Sequence, residues 1–254
     1  MIRLCFLLLA TLLSAGACAP AAARPLVDLS IVDRDDGRPL PAWPHRGDHW
    51  IAGTPGHRYA VRLANTTGER VLVVLSVDGV NAVSGETAAF DQAGYVLGPW
   101  ETAEIDGWRK SLDDIARFVF TDLGDSYAAR TGRPDNVGVI GIAVFRERRP
   151  EPVAVVPAPA APQRAAPAAE AAADAAGAAK ARQQLGTGHG ERAWAPVSRT
   201  AFERATRAPE QVTRLRYDDA ARLLAMGIGP YRGWRHPRSG PDAFPHAFVP
   251  DPPR

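Results

Sequence analysis

Histidines and carboxylates close together in sequence are the side chains most able to do chemistry, and this chain gathers them in three places. His45, Asp48 and His49 are competent ligands for zinc or a similar ion. The four-residue spacing of the two histidines turns both rings one way only on a helix, and Pro44 and Gly47 argue against a helix there. A polar surface loop is the competing reading. In a second string, Gly186, Gly188 and Gly190 alternate with Thr187 and His189 and lead into Glu191. Main-chain amides bared by glycine suit an anion, and His189 beside Glu191 has the makings of a base with an orienting carboxylate. The string lacks the phosphate-loop spacing and its lysine, and reads equally as a glycine-rich entry to a strand. The third place is a long turn after Ser76, where Asp78, Asn81 and Glu86 offer the oxygen ligands that calcium takes. The same residue types serve turns for their own hydrogen bonds.

Aromatic residues supply a different kind of site. Tyr95, Trp100 and Trp108, with Arg109 at the end, have the composition of a platform on which a sugar or a partner's side chain would stack. Aromatics buried in a β-sheet core look the same in sequence. Ser126, Tyr127 and Arg130 share one loop without a neighbouring histidine to activate the serine, which disfavours a hydrolase without excluding a triad assembled from distant positions.

Those residues have to be positioned by strands. Residues 26–146 alternate with period two: Tyr59, Val61 and Leu63 take one face while Arg58, Ala60 and Arg62 take the other. The run from Val71 to Leu75 is continuously apolar and suits a strand buried on both faces, ended by a turn at Asp78 and Gly79. Further strands are expected at 95–97, 102–105, 115–120 and 137–145, and in the later block at 194–202 and 212–217. A short helix follows over 218–226, with Asp218 as N-cap and Gly227 as its stop. Many short strands at turn-punctuated spacing predict a mainly β protein, an antiparallel β-sandwich spanning residues 24–149.

Composition shifts at Pro150. Residues 150–184 are rich in Ala and Pro and read as a linker, disordered or transiently helical, because no stripe of large apolar residues exists to dock them. Residues 185–254, the two strands and the short helix included, have a thin apolar inventory and are expected to pack on the sandwich.

The chain begins with a basic tip, an apolar run from Leu4 to Leu13 and small residues ending at Ala23. That is the pattern of an export signal over residues 1–23, too short to be a membrane span. In an alternative reading of the same stretch, Cys18 follows small residues as a lipid-modified cysteine does. Either way Cys5 leaves with the signal, and no internal disulfide can form from two cysteines in 254 residues. A formal net charge of +2 is too mild to imply nucleic acid, and no cofactor motif is present.

The segments around Ser76 to Asn81, Ser84 to Glu86, Gly94 to Leu97, Ile105 to Arg109 and Val137 to Glu147 resemble an uncharacterised family of exported proteobacterial proteins. The resemblance implies export and a shared fold and assigns no catalytic residue. The resulting expectation is a periplasmic or secreted envelope protein, a binding or structural module for a protein or envelope polymer. The alternative is a carbohydrate-active or other hydrolytic enzyme using His189 and Glu191 with Asp78.

Overall fold

Alternating and continuous apolar runs pair into two sheets, and the space between the sheets holds the largest cluster of buried apolar side chains. The computed structural model describes residues 24–149 and 183–229. The stretch read as an export signal, with Cys18, nearly all of the Ala/Pro segment, and the tail from residue 230 lie outside the described residues.

In chain order the strands are β1 (Val27–Asp33), β2 (Arg38–Pro39), β3 (Trp43–His45), β4 (Asp48–Gly53), β5 (Arg58–Asn65), β6 (Val71–Val77) and β7 (Val80–Asn81). They continue as β8 (Tyr95–Leu97), β9 (Thr102–Ile105), β10 (Gly107–Arg109), β11 (Asp114–Asp122), β12 (Val139–Arg146), β13 (Leu185–Trp194) and β14 (Gln211–Asp219). Two short α-helices, α1 (Tyr127–Arg130) and α2 (Ala220–Ala225), and 3-10 turns at Leu123–Asp125 and Pro134–Asn136 complete the set among the described residues. Among the described residues no helix is long and apolar enough to cross a membrane.

One sheet runs β10-β11-β5-β1-β2, with β13 on the other edge of β11 and β9 on β5. The other runs β3-β4-β14-β12-β6-β7, with β8 also on β6. Every pairing is antiparallel except β14 with β4, which is parallel. The fold is the expected β-sandwich. Strands β13 and β14 lie within the two sheets themselves, β13 beside β11 and β14 between β4 and β12.

Strand β5 buries Tyr59, Val61 and Leu63 as its alternation requires, and β6 is buried on both faces. Val71, Val73, Leu75 and Val77 enter the central core. Leu72 and Val74 point the other way and join Ala143 and Phe145 in a smaller outer cluster, onto which Phe202 packs. In the centre Tyr59 stacks on Phe118 and Phe120, with ring centroids 5.3 and 4.3 Å apart, and Phe120 meets Tyr217 at 5.4 Å. Stacked pairs of this kind add about 0.5–1.5 kcal/mol each beyond their buried area.

Two sequence expectations are corrected. The strand expected over 194–202 lies instead at β13, over the glycine string, while the chain beyond Val197 leaves the ladder. Glycine is needed there for close packing: a Cβ on Gly186 would lie 2.6 Å from the Ser126 Cβ, and one on Gly190 2.7 Å from a Val119 methyl. The helix cap is Asp219, whose carboxylate accepts from the Arg222 amide, because Asp218 is buried and bonded to the start of β13. Gly227, at a φ of 76°, does stop the helix.

Candidate functional site

Asp78 sits at zero exposure between the sheets, in the two-residue turn that joins β6 to β7. Asp78 and Gly79 both adopt positive φ, 54° and 75°, as a type I′ hairpin turn demands. That turn aims the carboxylate inward. Its Oδ1 accepts from the Tyr217 hydroxyl at 2.6 Å and the Gly138 amide at 2.9 Å, and its Oδ2 accepts from the Thr187 amide at 2.8 Å. The Thr187 hydroxyl lies 2.6 Å from the Tyr217 oxygen and 2.7 Å from that of Tyr59. One assignment of protons satisfies all of it: Tyr59 donates to Thr187, Thr187 to Tyr217, and Tyr217 to Asp78. Burial raises the Asp78 pKa to about 6, against the opposing pull of the Tyr217 hydroxyl and the Thr187 and Gly138 amides. Burial likewise pushes both tyrosines well above their ordinary value.

A second buried carboxylate repeats the device. Asp218 accepts from the Gln184 and Leu185 amides at the start of β13. Those amides and that of Thr187 face away from β11, where a strand edge would otherwise leave them bare. Asp78 and Asp218 therefore work as internal ties that fasten β13 into the sandwich.

The other residues of the calcium reading do not converge with Asp78. Asn81 is buried, with its oxygen accepting from the Val83 and Ser84 amides and its nitrogen donating to Gln92 and to the Ala93 carbonyl. Glu86 is exposed and contacts Gln92. His189 and Glu191 are exposed on the far part of β13. The His189 ring lies 5.8 Å from that of Tyr127, and among the described residues it forms no ion pair with a carboxylate. Glu191 faces Arg117 at 3.3 Å and Arg58 at 3.7 Å. The three groups of the hydrolytic reading are thus not brought together.

In the hairpin of β3 and β4, His45 pairs with Asp48 and Pro44 with His49. Directly paired residues share a face and successive ones alternate, so the two histidines point to opposite faces. Asp48 is held by Arg216 at 2.7 Å. The metal reading of this loop fails on that register. The aromatic platform does not assemble either. Trp108 is in the core against Phe118 and Tyr127, Trp100 is 69% exposed, and Arg109 donates to the carbonyls of Ala195 and Leu112.

One pair that the sequence did not reveal is Asp33 with His57. Asp33 pairs with Tyr59 across β1 and β5, which leaves His57 on the diagonal, two residues away. Its buried carboxylate accepts from the Asp35 and Asp36 amides, and its other oxygen lies 2.8 Å from the His57 Nδ1. That fixes the ring with Nδ1 as donor and Nε2 outward. The Asp33 hydrogen bond, helped by the charges of Asp36 and Asp35, raises the His57 pKa. Stability from this pair is complete below the ordinary histidine pKa and is lost as pH rises through the raised one. An NMR titration should place His57 above the ordinary value, and Asp33→Asn should return it there.

The outer face of the β6, β12 and β14 sheet carries a groove of about 490 Å³. Its floor follows from register: Gly141 lies between Ser76 and Arg214, and Ala143 between Val74 and Val212. One wall is the loop from Thr87 to Phe90, and Arg214 and Arg216 form the other. Phe90 and Val212 stay 52% and 45% exposed beside it. Sequence reasoning missed these residues. The available signal was small or apolar side chains at the outward positions of β6 and β12, where a solvated face would carry charge.

No protein-family model, curated protein or solved structure matches this chain. The site residues stand on geometry alone.

Proposed function

We propose that this chain is an exported β-sandwich binding module of the cell envelope, and that its ligand, a protein segment or envelope polymer, lies in the groove across Ser76, Gly141 and Arg214. The observation that carries this reading is the contrast between the two polar centres. The buried network spends Asp78, Thr187, Tyr217 and Tyr59 on one another, whereas the groove offers apolar surface and an arginine to solvent. A concave site with a few convergent polar groups is where a ligand gains most.

The test is thermal unfolding against envelope glycans, alongside capture of envelope proteins on immobilised protein, with Gly141→Phe as control. A Cβ at Gly141 would meet nothing closer than the Thr213 carbonyl oxygen at 3.7 Å, and Gly141 lines the groove, so a ring built there takes up the groove's own space. A ligand present at about a hundred times its dissociation constant stabilises by roughly 2.7 kcal/mol. That shift, or the captured partner, should vanish in Gly141→Phe. A ligand held equally by the variant would place the binding surface elsewhere.

A further inference from the structure

The outward face of the second sheet is covered over one half and open over the other, and the covered half supplies a template for what the open half would take. The chain's own segment from Thr200 to Ala205 runs antiparallel to the end of β12, where Arg204 bridges Glu147, and sends side chains over the row of Leu72 and Phe145 and the next row of Val74 and Ala143. Phe202 packs onto those apolar side chains, and its neighbour Glu203 pairs with Arg148. The Arg204 guanidinium lies over the Phe145 ring at 4.4 Å.

The open half repeats the ingredients. Val212 and Phe90 are exposed apolar surfaces flanking a floor of Ala143, Gly141 and Ser76. Two arginines stand on one wall, but they are not equivalent. Arg216 is paired with Asp48 and lies over the Trp50 ring, whereas Arg214 has no carboxylate partner among the described residues. Asp135 lines the groove as well and disfavours a second acidic group nearby. The site therefore asks for a single negative charge, placed at Arg214, with an apolar side chain next to it.

Building on the binding-module reading, we infer that the groove takes an extended polypeptide segment of a partner, presenting an apolar side chain beside a carboxylate that pairs with Arg214. Such a segment continues the covering that Phe202 and Glu203 begin. The chain's own segment also bonds through its main chain to residues 146–148, but the strands under the groove are already paired on both edges, so recognition there is through side chains alone.

The probe is a fluorescein-labelled peptide with the sequence of residues 200–205, Thr-Ala-Phe-Glu-Arg-Ala, followed by anisotropy against the full chain. Saturable binding is expected, about tenfold weaker for Arg214→Glu or for a peptide with Gln in place of Glu. Restoration by a Lys peptide on the Arg214→Glu chain, and loss in Gly141→Phe, would complete the case. Arg148→Glu, which touches only the covered half, should leave the affinity unchanged. No saturable binding, or binding weakened by Arg148→Glu and indifferent to Arg214→Glu, would overturn the inference, the second result meaning that the peptide had displaced the chain's own segment. If the peptide fails while a glycan still depends on Gly141, the ligand class alone is wrong. If nothing depends on Gly141, the binding-module reading falls with it.

Discussion

Replacing Asp78 with alanine is expected to cost about 4 kcal/mol or more, a large share of the roughly 5–15 kcal/mol by which a folded protein is stable. Removal of the carboxylate strands the Gly138 amide, the Thr187 amide and the Tyr217 hydroxyl, all in a region closed to water. Asp78→Asn tests the same point more gently. Whichever way its amide turns, the nitrogen meets the Gly138 or the Thr187 N–H, so one buried donor is lost at about 1–3 kcal/mol. The pH dependence gives a signature that size alone would not. With a folded pKa of about 6 against an ordinary 3.8, the folded state holds a proton between those values that the unfolded chain has released. The contribution of Asp78 to stability therefore rises as pH falls from about 6 towards 4, by about 3 kcal/mol in all. Between pH 7 and pH 5, urea unfolding should show the native protein gaining about 1 kcal/mol more than Asp78→Asn, since the His57 contribution is common to both. A native protein whose stability changes over that interval no differently from the variant's would show that Asp78 is ionised throughout.

Two glycines within strands are expected to answer the same substitution in opposite ways. A Cβ at Gly107 would lie 2.0 Å from the Ala116 carbonyl oxygen and 2.6 Å from its carbon. Gly107→Ala must part β10 from β11 and unseat the buried Trp108, at about 3 kcal/mol. At Gly141 the nearest atoms, at 3.7 and 4.0 Å, are at ordinary contact distance. Gly141→Ala should stay within about 0.5 kcal/mol of the native protein, since alanine also restricts the unfolded chain. Chemical denaturation of both variants decides the matter. Equal effects would mean that the open floor of the groove is not open.

What could be read in advance was whatever depends on neighbours in sequence. Strands β8 and β9 fall where alternation and flanking turns put them, and the continuous run of β6 is buried on both faces. Strand β13 was obscured because its glycines signal a loop, and the reason for them, the crowding by Ser126 and Val119, comes from other segments. The cap of α2 moved by one residue because Asp218 was already committed to the Leu185 amide. The site was less legible for the same reason. Asp78 looked like a turn residue, and so it is, but its partners Thr187 and Tyr217 stand 109 and 139 positions away. The Asp33 and His57 pair needed only the register of β1 on β5, both of them strands that alternation had marked.

Strand β14 is central to the second sheet yet close to the last element formed along the chain. It alone joins the β3 and β4 hairpin to β12, and β13 supplies the Thr187 amide that Asp78 requires. A ribosome that has released only the first 149 residues has therefore made a chain whose second sheet is in two pieces, with one edge of β12 unpaired and a carboxylate facing an unfilled interior. Native structure has to wait for distant contacts, which makes folding slow and late. A chain that cannot close early remains threadable through a narrow pore for longer.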